Sequence, residues 1–274
     1  MTKELLKIKR EIKKQMIKFY NFIIHSNLFI SVAALSLYLF YSLKSNYNFS
    51  IATMFFVLGG TYFSYHLLRF IPFKKGFFVE EPIVTFYKNH NLYLYGSILI
   101  SSIFIFIGLQ AYEHINFTTV VLCLVITLLY EKILTNKFEL RAIPYLKSLL
   151  IALVWSFMAT KLNSDSAELF DTIECFIFIL LLTLPFELKD LASDIKQNIK
   201  SFPTVLKDKF KIILCSLYFI YAIFYYLQTA EAFLLVSIPI YFGSFYLSKK
   251  NSLWYYLGFD GLIILRLIIY TYQY

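Results

Sequence analysis

The sequence predicts an all-α integral membrane protein with nine transmembrane helices. Hydrophobic residues make up 59% of the 274 residues, against about 45–50% in an ordinary soluble domain. Mean hydropathy is +0.66, and charged residues amount to 16%. These charges occur in clumps that alternate with long apolar runs. Such a pattern excludes a disordered chain and a typical soluble globule.

Nine apolar runs are long enough to cross about 30 Å of hydrocarbon as helices that rise about 1.5 Å per residue. They are apolar on every face, which excludes a soluble helical bundle. Very short loops separate the last three runs, so these predict tight antiparallel hairpins. The predicted spans are 19–42, 49–71, 92–112, 116–134, 144–161, 167–187, 210–229, 231–247 and 253–271.

The basic residues predict the orientation of these helices. With a cytoplasmic N-terminus, the inner segments carry 23 of the 26 lysines and arginines, and the outer segments carry Lys44 and Lys161. This asymmetry follows the positive-inside rule and predicts a C-terminus outside. Arg266, within the last run, is expected to extend outward to the membrane surface. The net charge of +9 therefore reflects topology and does not indicate nucleic-acid binding.

The chain divides into a short N-terminal segment and one transmembrane domain. Residues 1–18 are basic and place apolar side chains at helical spacing, so we expect this segment to lie on an anionic membrane surface. Residues 19–274 form the predicted nine-helix domain. The longest connections are all inner, and function is expected there.

An acidic triplet follows the sixth run, in the stretch PFELKDLASDIKQNIKSFPTV. Glu187, Asp190 and Asp194 are spaced i, i+3 and i+7, which places them on one helix face. Their mutual repulsion calls for a cation, either nearby lysines and arginines or Mg²⁺, which binds one or two carboxylates together with substrate phosphates. Lys196 and Lys200 follow and are candidates for phosphate contact. A solvated, charged helix exit is the alternative interpretation.

The longer pattern resembles the second aspartate motif of the UbiA-type intramembrane prenyltransferases. In that family, D-x-x-D-x-x-x-D is followed after six residues by T-L-P, at the cytoplasmic end of the sixth of nine helices. Here the triplet is followed after six residues by Ser201-Phe202-Pro203. Glu187 replaces the first aspartate, and Asn198 stands where glycine is usual. The stretch 139–156 also resembles the fifth-helix region of divergent members.

The first aspartate motif of the family is missing. Its place at the inner end of the second helix reads YHLLRFIPF, so His66 and Arg69 stand at the first two aspartate positions and Phe73 at the third. These three residues cannot form a Mg²⁺ site. Arg69 is a candidate to replace that metal by bidentate contact with phosphate, and His66 is a second donor. Alternatively, both pair with Glu187 or Asp190 and close a vestigial site.

The resemblance implies helices bundled around a central cavity that opens to the cytoplasmic side. It also implies Mg²⁺-assisted transfer of a prenyl group from a polyprenyl diphosphate to an aromatic or other lipophilic acceptor. Glu187, Asp190 and Asp194 would be the metal ligands, acting in catalysis with Arg69. The predicted substrate-binding residues are His66, Tyr62, Tyr65, Lys196, Lys200, Lys132 and Arg141.

Two other functions stay open. A degenerate member would bind an isoprenoid or quinone without turnover, and the lost first motif favours that reading. A transporter or channel would be expected to have broken helices with Gly or Pro pairs in two matching halves, and no such pairing is present in the sequence. The sequence predicts contact with the lipid bilayer, no nucleic acid and no protein partner. Asp260, in the last run, is an intramembrane carboxylate that needs a partner or a wet cavity.

Overall fold

The structure is a computed structural model that describes residues 11, 15, 19–20, 22–46, 50–75, 81–130, 140–163, 168–196, 199–207, 209–248 and 253–274. The prediction for residues 1–18 therefore falls almost wholly outside the described residues. Those described form helices and turns, with one isolated antiparallel bridge between Ile115 and Asn163.

Eleven helices carry the described part of the fold. Each of the nine predicted apolar runs overlaps one of them. They are α1 Leu28–Lys44, α2 Ile51–Lys74, α3 Glu81–Asn89, α4 Asn91–Gly108, α5 Phe117–Tyr130, α6 Leu146–Thr160, α7 Leu169–Lys196, α8 Phe202–Leu206, α9 Lys209–Thr229, α10 Ala232–Ser248 and α11 Leu253–Gln273.

The chain is a multi-pass membrane protein. By length and composition, α2, α7, α9 and α11 can each cross a membrane, and α3 with α4 forms a fifth candidate bent by 94°. Helices α1, α5, α6 and α10 are apolar but shorter. Large apolar side chains such as Leu92, Leu227 and Ile51 are exposed, as expected of surfaces that face lipid. The count of nine spans stays a prediction.

Six of the described helices pack in a closed ring. Helix α1 packs on α6, α6 on α7, α7 on α9, α9 on α10, α10 on α11, and α11 returns to α1. Outside this ring, α2 packs on α1 and α4, and α5 packs on α6. Stacked and edge-to-face rings fill the space between α9, α10 and α11, where the Tyr218 and Tyr241 ring centroids lie 3.9 Å apart.

Two glycines allow α2 and α4 to approach closely. A Cβ on Gly59 would lie 2.6 Å from the Cβ of Phe104, and one on Gly108 would lie 2.5 Å from the Cβ of Phe56. Lipid provides no hydrophobic drive for helix association, so small residues that permit close backbone contact are what hold such pairs together.

A buried charge network connects α11 with α7 and with the start of α10. Arg266 is 1% exposed, and its guanidinium lies 2.9 Å from both Glu174 Oε1 and Glu231 Oε2. Tyr41 and Tyr221 donate hydrogen bonds to Glu174. The expectation that Arg266 extends to the membrane surface is therefore wrong, because these two carboxylates neutralise it inside the bundle.

Gly108→Ala is expected to destabilise the protein, whereas Gly96→Ala on the same helix is not. The new methyl group at Gly108 would collide with Phe56, whereas a Cβ at Gly96 meets nothing within 4 Å. Overpacking of this kind costs about 1–3 kcal/mol. Thermal unfolding in detergent measures the difference, and equal melting temperatures would contradict the close contact.

Arg266→Met is expected to cost about 3–5 kcal/mol, because it leaves Glu174 and Glu231 buried without their cation. Adding Glu174→Gln and Glu231→Gln should restore part of the loss, since the triple variant buries no unpaired charge from this network. Unfolding free energies of the single and triple variants test this. A single variant as stable as the wild type would show that the network does not hold the ring.

Candidate functional site

A cavity of about 600 Å³ lies among α1, α2, α5, α6, α7 and α11. Apolar side chains form most of its wall. Among the lining residues, six are charged, and four of these are cations. They are Arg69, Arg141, Lys147, Lys189, Asp190 and Asp260. An apolar pocket with a few convergent polar groups is typical of a small-molecule site, and here the balance of charge favours an anion.

Glu187 fastens α7 to its neighbours. It is 1% exposed and does not line the cavity. Ser148 Oγ donates to its Oε1 over 2.6 Å, and the backbone N–H of Phe202 donates to its Oε2 over 3.0 Å. The first residue of the acidic triplet therefore binds the start of α8, which is the Ser201-Phe202-Pro203 part of the motif.

Lys147 lies between the other two carboxylates of the triplet. Its Nζ donates to Asp190 Oδ2 and lies 3.7 Å from Asp194 Oδ2. Arg141 lies 3.9 Å from Asp194 Oδ1, and Lys189 lies 3.7 Å from Asp190 Oδ1. A continuous row of alternating charges thus runs along the end of α7, from Arg141 to Lys189.

Asp194 is the most enclosed member of this row. It is fully buried, and neither of its oxygens accepts a hydrogen bond from the described residues. Burial raises the pKa of Asp194 above its usual range, because water no longer stabilises the charged form, although Lys147 and Arg141 act in the opposite direction. The cations beside it therefore compensate this carboxylate only in part.

The structure does not bring the three predicted metal ligands to one point. Among the described residues, no group of three histidine, cysteine or acidic side chains is arranged to hold a metal ion. Glu187 is committed to Ser148 and Phe202, and Lys147 occupies the space between Asp190 and Asp194. Of the triplet, Asp190 alone lines the cavity.

At the place of the missing motif, Arg69 faces the cavity and His66 does not. The Arg69 guanidinium donates to Asn27 Oδ1 and lies 5.9 Å from the centroid of the Tyr65 ring. His66 is fully buried, with its Nδ1 3.5 Å from Asn27 Nδ2. In the described part of the chain, neither residue forms an ion pair with Glu187 or Asp190.

Two solved structures have a similar fold, although no protein-family model and no curated protein sequence matches the chain. One is the apo structure of a UbiA homolog from Aeropyrum pernix K1. It aligns with a TM-score of 0.59 and 12% identity over 88% of this chain and 98% of the other. This chain has the UbiA fold.

The second structure concerns digeranylgeranylglyceryl phosphate synthase in membranes. It aligns with a TM-score of 0.50 and 15% identity over 93% of this chain and 98% of the other. At such low identity both alignments establish the fold alone. The resemblance inferred from the acidic motif is therefore confirmed for the UbiA fold, and the roles of individual residues stay predictions.

The other residues predicted for a UbiA-type site are scattered. Tyr65 and Arg141 line the cavity. Tyr62 is buried outside the cavity lining and is hydrogen-bonded to Tyr93. Lys196 and Lys200 are exposed and do not line the cavity. Lys132 lies outside the described residues.

Sequence reasoning missed two contacts made by cations that line the cavity. Asn27, which holds Arg69, precedes α1 with a left-handed φ of 65°, and no spacing rule places it beside residue 69. Lys147 bridges Asp190 and Asp194, and nothing in the sequence indicates this bridge. Lys189 lies next to Asp190 in the chain and 5.2 Å from the Tyr256 ring centroid.

Lys147→Met is expected to destabilise the protein by about 3 kcal/mol, because two carboxylates would then face each other without the cation between them. Lys196→Met is the matched control, since Lys196 is exposed. Adding Asp194→Asn to Lys147→Met should recover part of the loss. Unfolding free energies in detergent measure both effects, and equal values for the two single variants would contradict the bridge.

Proposed function

We propose that this protein is a membrane prenyltransferase that binds a polyprenyl diphosphate in the cavity. The observation that carries the proposal is the lining itself, with four cations gathered in an otherwise mostly apolar wall. The diphosphate lies against the cations, and the prenyl chain lies along the apolar side chains. The volume of about 600 Å³ is within the usual range of ligand pockets, about 300–1,000 Å³.

The cations assist departure of the diphosphate. In prenyl transfer, the bond between the first prenyl carbon and the diphosphate oxygen breaks, and its electron pair leaves with the diphosphate. Positive groups placed where that negative charge develops lower the barrier. Arg69 can contact two phosphate oxygens at once, and Asn27 holds its guanidinium in place. Arg141, Lys147 and Lys189 supply further positive charge.

Magnesium belongs to this proposal through Asp190. Mg²⁺ commonly uses one or two carboxylates and completes its shell with water and substrate phosphates. Asp190 fits that ligand set because it lines the cavity, whereas Glu187 and Asp194 are buried away from it. When bound, Mg²⁺ would supply additional positive charge to the diphosphate. The predicted cluster of three carboxylates is thereby reduced to one.

A second function, binding without turnover, also has support. Lys147 already neutralises Asp190, and Arg69 already has a partner in Asn27. The same cavity would then hold an isoprenoid or a quinone as a bound ligand. Both functions require a lipophilic ligand within the bilayer, and only the prenyltransferase releases diphosphate from it.

Release of diphosphate from geranylgeranyl diphosphate, measured on purified protein with Mg²⁺ and a panel of aromatic acceptors, tests the enzyme proposal. Arg69→Ala should lower the rate at least tenfold, because hydrogen bonds to a charged group contribute about 1.5–3 kcal/mol. Asp190→Asn should weaken the dependence on Mg²⁺. Lys196→Ala, an exposed lysine, should leave both unchanged.

A binding measurement with the same diphosphate separates the two functions. Binding without release under any condition would favour the non-catalytic function. If the wild type did not bind geranylgeranyl diphosphate at all, the prenyltransferase proposal would fail.

A further inference from the structure

Asp260 is an acid of the cavity for which the described residues provide no partner. It is 6% exposed and lines the cavity from α11. Among the described residues, nothing forms a hydrogen bond or an ion pair with its carboxylate. Glu174, Glu187 and Glu231, which are equally buried, all have such partners. A carboxylate inside a membrane is costly unless something compensates it.

Packing around Asp260 holds it towards the cavity. Residues Tyr256–Asp260 form a π-helical turn within α11, a distortion that is frequent at functional sites. Gly258 lies against α10 so closely that a Cβ there would be 2.1 Å from Ser244 Oγ. Phe259 is fully buried, with its ring 5.1 Å from those of Tyr241 and Phe245. Because Gly258 and Phe259 are fixed against α10, Asp260 faces the cavity.

The surroundings of Asp260 favour a neutral ligand group. Arg69 and Lys189 are near enough to act on it electrostatically, although neither approaches within ion-pair distance in the described structure. A cationic ligand would be repelled by these two side chains. A neutral hydroxyl can donate a hydrogen bond to the carboxylate without that repulsion. The aromatic rings of Tyr65, Trp155 and Tyr256 line the same cavity and suit a flat or lipophilic body.

We propose that Asp260 binds the hydroxyl group of the acceptor, a lipophilic alcohol or phenol, and takes its proton. This inference rests on the proposed prenyltransferase function. The acceptor oxygen forms a bond to the first prenyl carbon, and the bond from that carbon to the diphosphate breaks with its electron pair. The hydroxyl proton moves to the Asp260 carboxylate. Asp260 is thus the acceptor-side counterpart of Arg69 and Lys147 on the diphosphate side.

Two probes that differ in whether they carry a hydroxyl proton test whether Asp260 binds the acceptor hydroxyl. The dissociation constants of 2-naphthol and of 2-methoxynaphthalene are measured on the wild type, Asp260→Leu and Asp260→Asn in the same detergent. The ratio of the dissociation constant of 2-methoxynaphthalene to that of 2-naphthol should be about tenfold higher for the wild type than for Asp260→Leu. Comparing the same ratio between proteins cancels the partition of each probe into the micelle. Asp171→Asn, which removes a carboxylate outside the cavity lining, should keep the wild-type preference.

A second measurement separates binding from a purely structural role. The affinity for geranylgeranyl diphosphate should stay within about twofold of wild type in Asp260→Asn. The assignment is overturned if Asp260→Leu keeps the hydroxyl preference, or if both Asp260 variants weaken all three probes equally. A wild type that prefers the naphthol but does not bind the diphosphate would sink the prenyltransferase proposal while leaving the hydroxyl site intact.

Discussion

The pairing of Arg266 with Glu174 and Glu231 is the interaction on which the closed ring depends. The three residues lie on or beside α11, α7 and α10, and Arg266 also packs over Phe40 of α1, with its guanidinium carbon 4.1 Å from the ring centroid. An unpaired charge in this apolar interior would cost several kcal/mol. The ion pairs therefore connect the last helix to α7 and to the start of α10, and the stacking on Phe40 connects it to the first helix, where lipid offers no hydrophobic drive. Helices α1 and α11 both line the cavity.

The two charge networks of the molecule differ in where their charges point. The network around Arg266 satisfies itself, with tyrosine hydroxyls completing the shell of Glu174. The row at the end of α7 does not, because Lys147, Lys189 and Asp190 all line the cavity while they contact one another. One network stabilises the bundle, and the other leaves charge available to a ligand. Composition alone does not distinguish the two networks, because it identifies both only as charged residues among apolar ones.

The sequence predicted the positions of the helices but not which side chains pair between them. Hydropathy identified the apolar runs because a membrane demands a long apolar segment whatever the neighbouring helices are. The spacing of the acidic triplet predicted a shared helix face, but contacts between helices decided that Glu187 faces Ser148. The pairing of Lys147 with Asp190 joins residues of different helices, and that of Arg69 with Asn27 depends on a left-handed turn. No local rule encodes either pairing.

The order of the chain gives the Arg266 network a consequence for biogenesis. Glu174 and Glu231 are synthesised before the helix that carries their arginine. Until α11 arrives, these two acids must be hydrated, be protonated or remain near the translocation machinery, since a bare carboxylate in hydrocarbon is unfavourable. Lys44 lies 2.9 Å from Asp171 and 3.8 Å from Glu231 and is available from the outset. Insertion of the last helix therefore supplies the cation that pairs with both acids.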